Sequence, residues 1–260
     1  MDLQKNREIS DLIKAHVDYV YKKFIANIEI RTDARELLMA TFFATQLEYS
    51  KALAALIETN NLIGLPSIFR SFFEAHIDLV NICYHKNYHL ALIEKSEKEL
   101  IKQLENLFKE KTNSFLPNPE STGFDVGKVI NEKRASVENL EKQTKQFKDV
   151  GSSIKEKIKL AGLDVTYFGI YKILNPQVHN DIHALESRHI NEKNGRITLS
   201  IDNVWTFSDV GGILVTIAPV LTRSLMLIFE YFGMDLEEFD SSIDSQILDQ
   251  ITSIIDSSSS

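Results

Sequence analysis

The fold of this chain is indicated most directly by one stretch of sequence, Pro66-Ser67-Ile68-Phe69-Arg70-Ser71-Phe72-Phe73-Glu74-Ala75-His76-Ile77-Asp78-Leu79-Val80-Asn81-Ile82-Cys83-Tyr84. Its apolar residues fall on nearly every side of a helix with about 3.6 residues per turn, which is typical of a helix surrounded by others. Pro66 suits the first turn, because the N–H that proline lacks would have no helical partner there. The stretch therefore predicts a buried central helix, residues 66–84.

Three charged residues, Arg70, Glu74 and Asp78, interrupt this apolar helix at intervals of four. Side chains at that interval share a helix face, so Arg70 can pair with Glu74. Two interpretations stay open: an exposed or core-locking ion pair, or the lining of a polar pocket. In a pocket, Arg70 would hold a phosphate or carboxylate by a planar two-pronged contact. Glu74 would orient it or act as a general base.

The rest of the sequence also has helical periodicity. Apolar residues at three- and four-residue steps predict helices over about 2–29, 33–58, 89–111, 125–149, 210–232 and 243–255, with a short helix ending at Ala161. The chain of 260 residues has only 10 Gly and 5 Pro, too few for the turns of a sheet-rich protein. The only strand predicted is Arg196–Ile201. The fold class is therefore all-α, a multi-helix bundle around the buried helix.

The predicted helices on either side of a Pro- and Gly-containing loop are highly charged and poor in large apolar residues. We expect residues 89–149 to form a protruding charged helical hairpin, inserted in a single helical domain that spans 1–260. The polar residues 257–260 are expected to be a disordered tail.

Composition restricts the environment of the chain. Its one cysteine, Cys83, cannot form an intramolecular disulfide, which favours a reducing compartment. The longest apolar run, Val210–Phe229, is interrupted by Arg223 and fits a buried core helix better than a membrane span. Because the first residues also lack a signal-peptide pattern, we expect a cytoplasmic protein with no membrane contact. The net charge of −8 disfavours extended nucleic-acid binding but allows a small basic site.

A second group of polar residues lies within Tyr171-Lys172-Ile173-Leu174-Asn175-Pro176-Gln177-Val178-His179-Asn180-Asp181-Ile182-His183. Tyr171, Asn175, His179 and His183 are spaced by four and would share one face of a continuous helix. A histidine near neutral pKa can transfer protons if a substrate reaches it, and His179 is the first candidate. Hydrogen-bonded packing at a helix start, with Asn180 or Asp181 as a cap, is the alternative.

The spacing of His179 and His183 is also that of two metal ligands on a helix. A zinc protease would have glutamate after the first histidine, where this sequence has Asn180. A third ligand could come from Glu74, Asp181 or His189, and nothing in the sequence selects one. A metal site on this pair therefore stays an alternative, and no cofactor is expected otherwise.

Two segments, Arg70-Ser71-Phe72-Phe73-Glu74-Ala75 and Tyr171-Lys172-Ile173-Leu174-Asn175-Pro176-Gln177-Val178-His179, resemble the bacterial domain of unknown function 5677 family. Its pattern is an R-x-x-x-E helix followed, after a charged insert, by Y-x-x-L-S-x-x-V-H, and the resemblance covers roughly residues 30–235. It implies a shared pocket, with Arg70, Glu74, Tyr171 and His179 as candidate catalytic residues. The serine of the family pattern is Asn175 here.

The segment from Tyr171 to His183 also supplies Asn175, Asn180 and His183 as candidate ligand-binding residues. A looser similarity is to the HEPN group (higher eukaryote and prokaryote nucleotide-binding) of helical ribonucleases and toxins. That group uses an arginine and a histidine with four to six residues between them, and Arg70 and His76 fit this spacing with five between them. On a helix, however, this pair diverges by about 120°. Arg70 with His179, completed by dimerisation, makes a better site.

The leading hypothesis is a helical bacterial effector that binds or cleaves a phosphate-bearing ligand, RNA or nucleotide, in a toxin or phage-defence system. The resemblance implies a metal-independent ribonuclease, in which histidine transfers the proton and arginine stabilises the phosphate transition state. One alternative is a non-catalytic module that docks a protein partner through the 89–149 hairpin. Another is a metal-dependent hydrolase that uses His179 and His183.

Overall fold

The computed structural model describes residues 3–109, 125–148, 153–164, 170–171, 174, 190–193, 196–199, 207–234 and 242–257. The helices are α1 (Leu3–Asn27), α2 (Ala34–Glu58), α3 (Leu65–Tyr84), α4 (Tyr88–Lys109), α5 (Val126–Thr144), α6 (Ile154–Leu160), α7 (Phe207–Tyr231) and α8 (Ser242–Asp256). The all-α prediction is confirmed. The largest difference from the predicted bounds is in α5, which stops at Thr144 and continues as a 3₁₀ turn.

Helix α3 lies at the centre of the bundle. It packs against α2 on one side and α7 on another, and α6 covers part of it. Helix α1 packs against α2 and α7, and α8 packs against α7 and α1. The side chains that close the core around α3 are fully buried: Phe69, Phe72, Phe73, Ile77, Leu79 and Ile82. The predicted buried helix is therefore observed, one residue longer at its start.

Local sequence signals set the helix ends. Asp33 caps α2, because its carboxylate accepts the backbone N–H groups of Arg35 and Glu36. Pro66 lies in the first turn of α3 as predicted. Gly233 ends α7 with a φ of 67°, a left-handed conformation that glycine adopts without steric cost.

Arg35 joins the beginning of α2 to the end of α3. Its Nε and Nη2 donate to the carbonyl of Ile82 at 2.9 and 2.6 Å, and Nη2 also donates to the carbonyl of Cys83 at 3.0 Å. Its Cζ lies 4.7 Å from the centre of the Tyr231 ring, at the end of α7. One guanidinium thus satisfies two terminal carbonyls of α3 and packs on a third helix.

A buried ion pair attaches α6 to the central helix. Lys157 Nζ lies 2.7 Å from Asp78 Oδ2, and the two side chains are 13% and 10% exposed. The Tyr88 hydroxyl donates to the other oxygen of Asp78 at 2.6 Å. The Lys157 carbonyl accepts from Asn81 Nδ2 at 3.0 Å. Both oxygens of Asp78 are therefore hydrogen-bonded, as a buried carboxylate requires.

Helices α4 and α5 pack along each other and are joined by ion pairs. Lys133 lies 2.7 Å from Glu97, and Arg134 lies 2.5 Å from Glu105. Among the described residues of this pair of helices, the buried apolar side chains are those of Tyr88, Val126, Ile130 and Val137. The division of the chain into one domain, an 89–149 insert and a 257–260 tail stays a prediction.

A short β-hairpin lies between α6 and α7 in the chain. Strand β1 (Ile190–Lys193) pairs antiparallel with β2 (Arg196–Leu199), with Ile190 opposite Leu199. The sequence indicated only the second strand, as Arg196–Ile201. The partner strand was missed because Ile190-Asn191-Glu192-Lys193 lacks alternating apolar residues.

Helix α7 is, among the described residues, the one helix long and apolar enough to cross a membrane, over Val210–Tyr231. About two thirds (67%) of its most apolar stretch is buried inside the bundle. Core helices of soluble proteins have the same length and composition, so this is weak evidence for a span.

We expect Asp78→Ala to lower the free energy of unfolding by about 3 kcal/mol, because it leaves the Lys157 ammonium buried without its partner. Urea denaturation followed by circular dichroism measures this loss. Glu105→Ala is the matched control, since it breaks a pair whose side chains are 58% and 33% exposed and should cost less than about 1 kcal/mol. Equal losses in the two variants would contradict a structural role for the buried pair.

Candidate functional site

Arg70 and Glu74 form an ion pair on one face of α3. Arg70 Nε donates to Glu74 Oε1 at 2.9 Å, and the side chains are 20% and 38% exposed. The pair is therefore neither sealed in the core nor fully in solvent. A ligand in solvent can reach these charges, which a buried pair would not permit.

Tyr171 reaches this pair from a segment 97 residues further along the chain. Its hydroxyl donates to Glu74 Oε1 at 3.1 Å, so the same oxygen accepts hydrogen bonds from both neighbours. The Arg70 Cζ lies 4.8 Å from the centre of the Tyr171 ring, within cation–π range. Three of the four candidate catalytic residues thus form one group, which we call the Arg70–Glu74–Tyr171 cluster.

The protonation of Tyr171 follows from its surroundings. Burial, and then the negative charge of Glu74, raise the pKa of Tyr171 to about 12, and the positive charge of Arg70 offsets part of that effect. Tyr171 is therefore a neutral hydrogen-bond donor at physiological pH. The cluster contains one cation, one carboxylate and one phenol that keeps its proton.

Asp78 does not join this cluster, although it continues the same interval of four. Each step of four residues rotates a side chain by about 40° around the helix, so Asp78 lies about 80° from Arg70. That rotation carries it to Lys157 and Tyr88 in the core. The sequence contains no local signal for these two partners.

His76 lies in the core between α2 and α7. Its Nδ1 is 2.7 Å from Ser224 Oγ, and the Ser224 hydroxyl donates to Gln46 Oε1 at 2.6 Å. Burial, with a smaller contribution from Arg223, lowers the pKa of His76 to about 3. The histidine is 1% exposed and neutral at physiological pH. The HEPN-like spacing of Arg70 and His76 therefore does not produce a shared site within this chain.

The remaining candidates, Asn175, His179, Asn180 and His183, lie outside the described residues. Within the described ranges, no three side chains of His, Cys, Asp or Glu converge as metal ligands would. Since both histidines of the metal alternative fall outside those ranges, that alternative stays a prediction. The homodimer and the protein partner of the 89–149 hairpin also stay predictions.

One cavity lies away from the cluster, between α1 and α8. Its volume is about 570 Å³, and it is lined by Glu8, Asp11, Leu12, Ala15, Gln250, Ser253 and Ile254. Apolar side chains form part of its lining, and two carboxylates lie along α1. Periodicity in α1 and α8 predicted the helices but not a space between them.

The fold and cluster together define a class: an all-α bundle with a partly exposed Arg–Glu–Tyr group on its central helix. Residues 36–197 match the family described as Family of unknown function (DUF5677), and the chain belongs to this family. The matched region includes Arg70, Glu74 and Tyr171. The comparison with curated proteins gave no significant match, and neither did the comparison with solved structures.

The buried His76 predicts a specific dependence of stability on pH. Its folded pKa of about 3 lies below the ordinary value of 6.5, so only the unfolded chain takes up this proton between those values. The contribution of His76 to folding is therefore most favourable above pH 6.5. As the pH falls below 6.5, we expect His76 to lower the free energy of unfolding by up to about 1.4 kcal/mol per pH unit.

Urea unfolding from pH 7 to pH 4.5 measures this slope, with His76→Asn as the comparison. Asparagine does not titrate and offers an N–H near the position of Nδ1, toward Ser224. The variant should lose that part of the slope. Identical slopes in the two proteins would contradict the assignment.

Proposed function

We propose that the Arg70–Glu74–Tyr171 cluster binds a phosphate-bearing ligand, RNA or a nucleotide. The observation that carries this proposal is the arginine itself. Its guanidinium is stacked on Tyr171, fixed at Nε by Glu74 and still partly exposed. A planar guanidinium held in one orientation matches the oxygens of a phosphate, and little side-chain entropy remains to be lost on binding.

The energetic contrast with the Asp78–Lys157 pair supports a binding role. A partly exposed pair at an interval of four contributes only about 0.3–0.5 kcal/mol to stability. The buried pair on the same helix already attaches a neighbouring element to the core. The ion pair by itself therefore adds little to the stability of the fold, whereas a ligand gains an oriented cation.

The reaction that we propose for this site is RNA cleavage. His179 is the candidate general acid or base, and Arg70 would stabilise the charge that develops on the phosphate. The Tyr171 hydroxyl, neutral at physiological pH, can donate to an oxygen of the ligand. No step requires a metal. A metal-independent ribonuclease of this kind would suit an effector in a bacterial toxin or phage-defence system.

The overall acidity of the chain is compatible with this proposal if binding is local. Extended nucleic-acid surfaces neutralise many phosphates, and a net charge of −8 opposes that mode. A single arginine with one stacked tyrosine needs only one or two phosphates. We therefore expect binding that depends weakly on salt compared with that of a basic nucleic-acid-binding protein.

A second candidate is a protein-docking role for helices α4 and α5. No described side chain from 89 to 106 is buried, although the two helices are held together by ion pairs. Deletion of residues 95–148 should then abolish capture of a specific protein partner, while circular dichroism still shows a folded helical bundle. Capture that survives the deletion would count against this role.

The leading proposal predicts a loss of RNA affinity in Arg70→Ala. We expect the dissociation constant for a fluorescein-labelled single-stranded RNA to rise by about tenfold or more, because hydrogen bonds to a charged group contribute about 1.5–3 kcal/mol. Fluorescence anisotropy measures the constant. Arg134→Ala is the matched control, since it removes an arginine that is also paired with a glutamate but lies on α5.

Cleavage is tested with the same RNA on denaturing gels. His179→Ala should lower the cleavage rate by about 100-fold or more and change affinity little, because general acid–base catalysis acts on the transition state. Circular dichroism checks that each variant is folded. Equal turnover in wild type, Arg70→Ala and His179→Ala, or turnover in none of them, would refute the ribonuclease proposal.

A further inference from the structure

Glu74 is a carboxylate that lies directly beside the arginine of the proposed phosphate site. Its Oε1 lies 2.9 Å from Arg70 Nε and accepts from the Tyr171 hydroxyl at 3.1 Å. The two contacts hold the carboxylate directly beside the cation that would bind the ligand. Among the described residues of the cluster, the single positive charge is therefore balanced by a single negative charge.

We infer that Glu74 determines which phosphate the site accepts: a phosphodiester with one negative charge, rather than a terminal phosphomonoester with two. This inference rests on the proposed function and extends it to the substrate class. It selects an internal phosphate of an RNA chain over the free end of a nucleotide.

The physical argument compares the two ligands at the same arginine. A phosphate bound to the guanidinium lies within about 5–8 Å of a carboxylate bound to Nε, which is no farther than the screening length of about 8 Å in physiological salt. Coulomb attraction to Arg70 and repulsion from Glu74 are both proportional to ligand charge, so both double for the dianion, and Glu74 offsets much of the extra attraction that Arg70 alone would give it. The dianion also loses more hydration on entering a partly buried site.

A positioning role for Glu74 would give a different result and can be separated from the charge effect. Glu74→Gln keeps an oxygen that can accept from both Arg70 and Tyr171, and the side chain has nearly the same volume. Only the negative charge is removed. Loss of positioning would weaken both ligands alike, whereas loss of charge changes their ratio.

The experiment uses two probes that differ by one methyl group and one charge: adenosine 5′-monophosphate and its methyl ester. Each competes with labelled RNA for the full-length protein at pH 7.5, and anisotropy gives the inhibition constants. We expect wild type to bind the methyl ester about fivefold or more tightly than the monophosphate. In Glu74→Gln that preference should fall to about twofold or less. Glu105→Gln, which neutralises the glutamate paired with Arg134 on the α4–α5 pair, should keep the wild-type preference.

A second test uses the wild-type protein and changes only the pH at which the two probes are compared. The monophosphate takes up its second proton near pH 6, so it is mainly a monoanion at pH 5.5. The preference of wild type for the ester should then shrink without any mutation. A preference that is the same at both pH values would overturn the inference.

The outcomes separate the inference from the proposed function. If both probes compete, Arg70→Ala weakens binding as expected and the ratio is unchanged in Glu74→Gln, only the role of Glu74 is overturned. If neither the RNA nor the probes bind, or if Arg70→Ala binds as tightly as wild type, the proposed function is overturned together with the inference.

Discussion

The burial of most of α3 is the constraint on which the rest of the structure depends. The buried faces of this helix leave no water for the polar side chains that they carry, so each of those side chains needs a partner from a neighbouring element. Asp78 is bonded to Lys157 of α6 and to Tyr88 of α4, and His76 contacts Ser224 of α7. Polar side chains of α3 thus contribute to the positions of three neighbouring helices, α4, α6 and α7.

The same helix carries two ion pairs that differ in solvent exposure. The Asp78–Lys157 pair is almost completely desolvated, so removal of either partner leaves a buried charge. The Arg70–Glu74 pair keeps access to solvent, and water can replace a lost partner. A rotation of about 80° between Arg70 and Asp78 therefore places one pair in the core and leaves the other in contact with solvent.

The helices could be predicted from the sequence because their signals are local. Periodicity, the Asp33 cap, Pro66 in a first turn and Gly233 at a helix end each act within a few residues. The tertiary partners could not be predicted in this way. Lys157 lies 79 residues from Asp78, and Ser224 lies 148 residues from His76. No periodic pattern specifies which distant side chain fills a polar position in the core.

The candidate site was predictable in part. The interval of four indicated the Arg70–Glu74 pair, and the family resemblance, rather than any pattern in the residues, associated Tyr171 with it. The stacking of Tyr171 on Arg70 and the shared oxygen of Glu74 depend on the docking of a distant segment. For His76 the sequence pattern was misleading. Its spacing from Arg70 fits that of the HEPN group, but the side chain is buried in the core and does not reach the cluster.

Arg35 has a consequence for local motion. Helix ends normally fray independently, because the last turns have few hydrogen bonds to lose. Here the terminal carbonyls of Ile82 and Cys83 are held by a side chain from the first turn of α2, which also packs on Tyr231. Opening either end breaks the same contacts. The amide protons of these two helix ends should therefore exchange with solvent in one shared opening event.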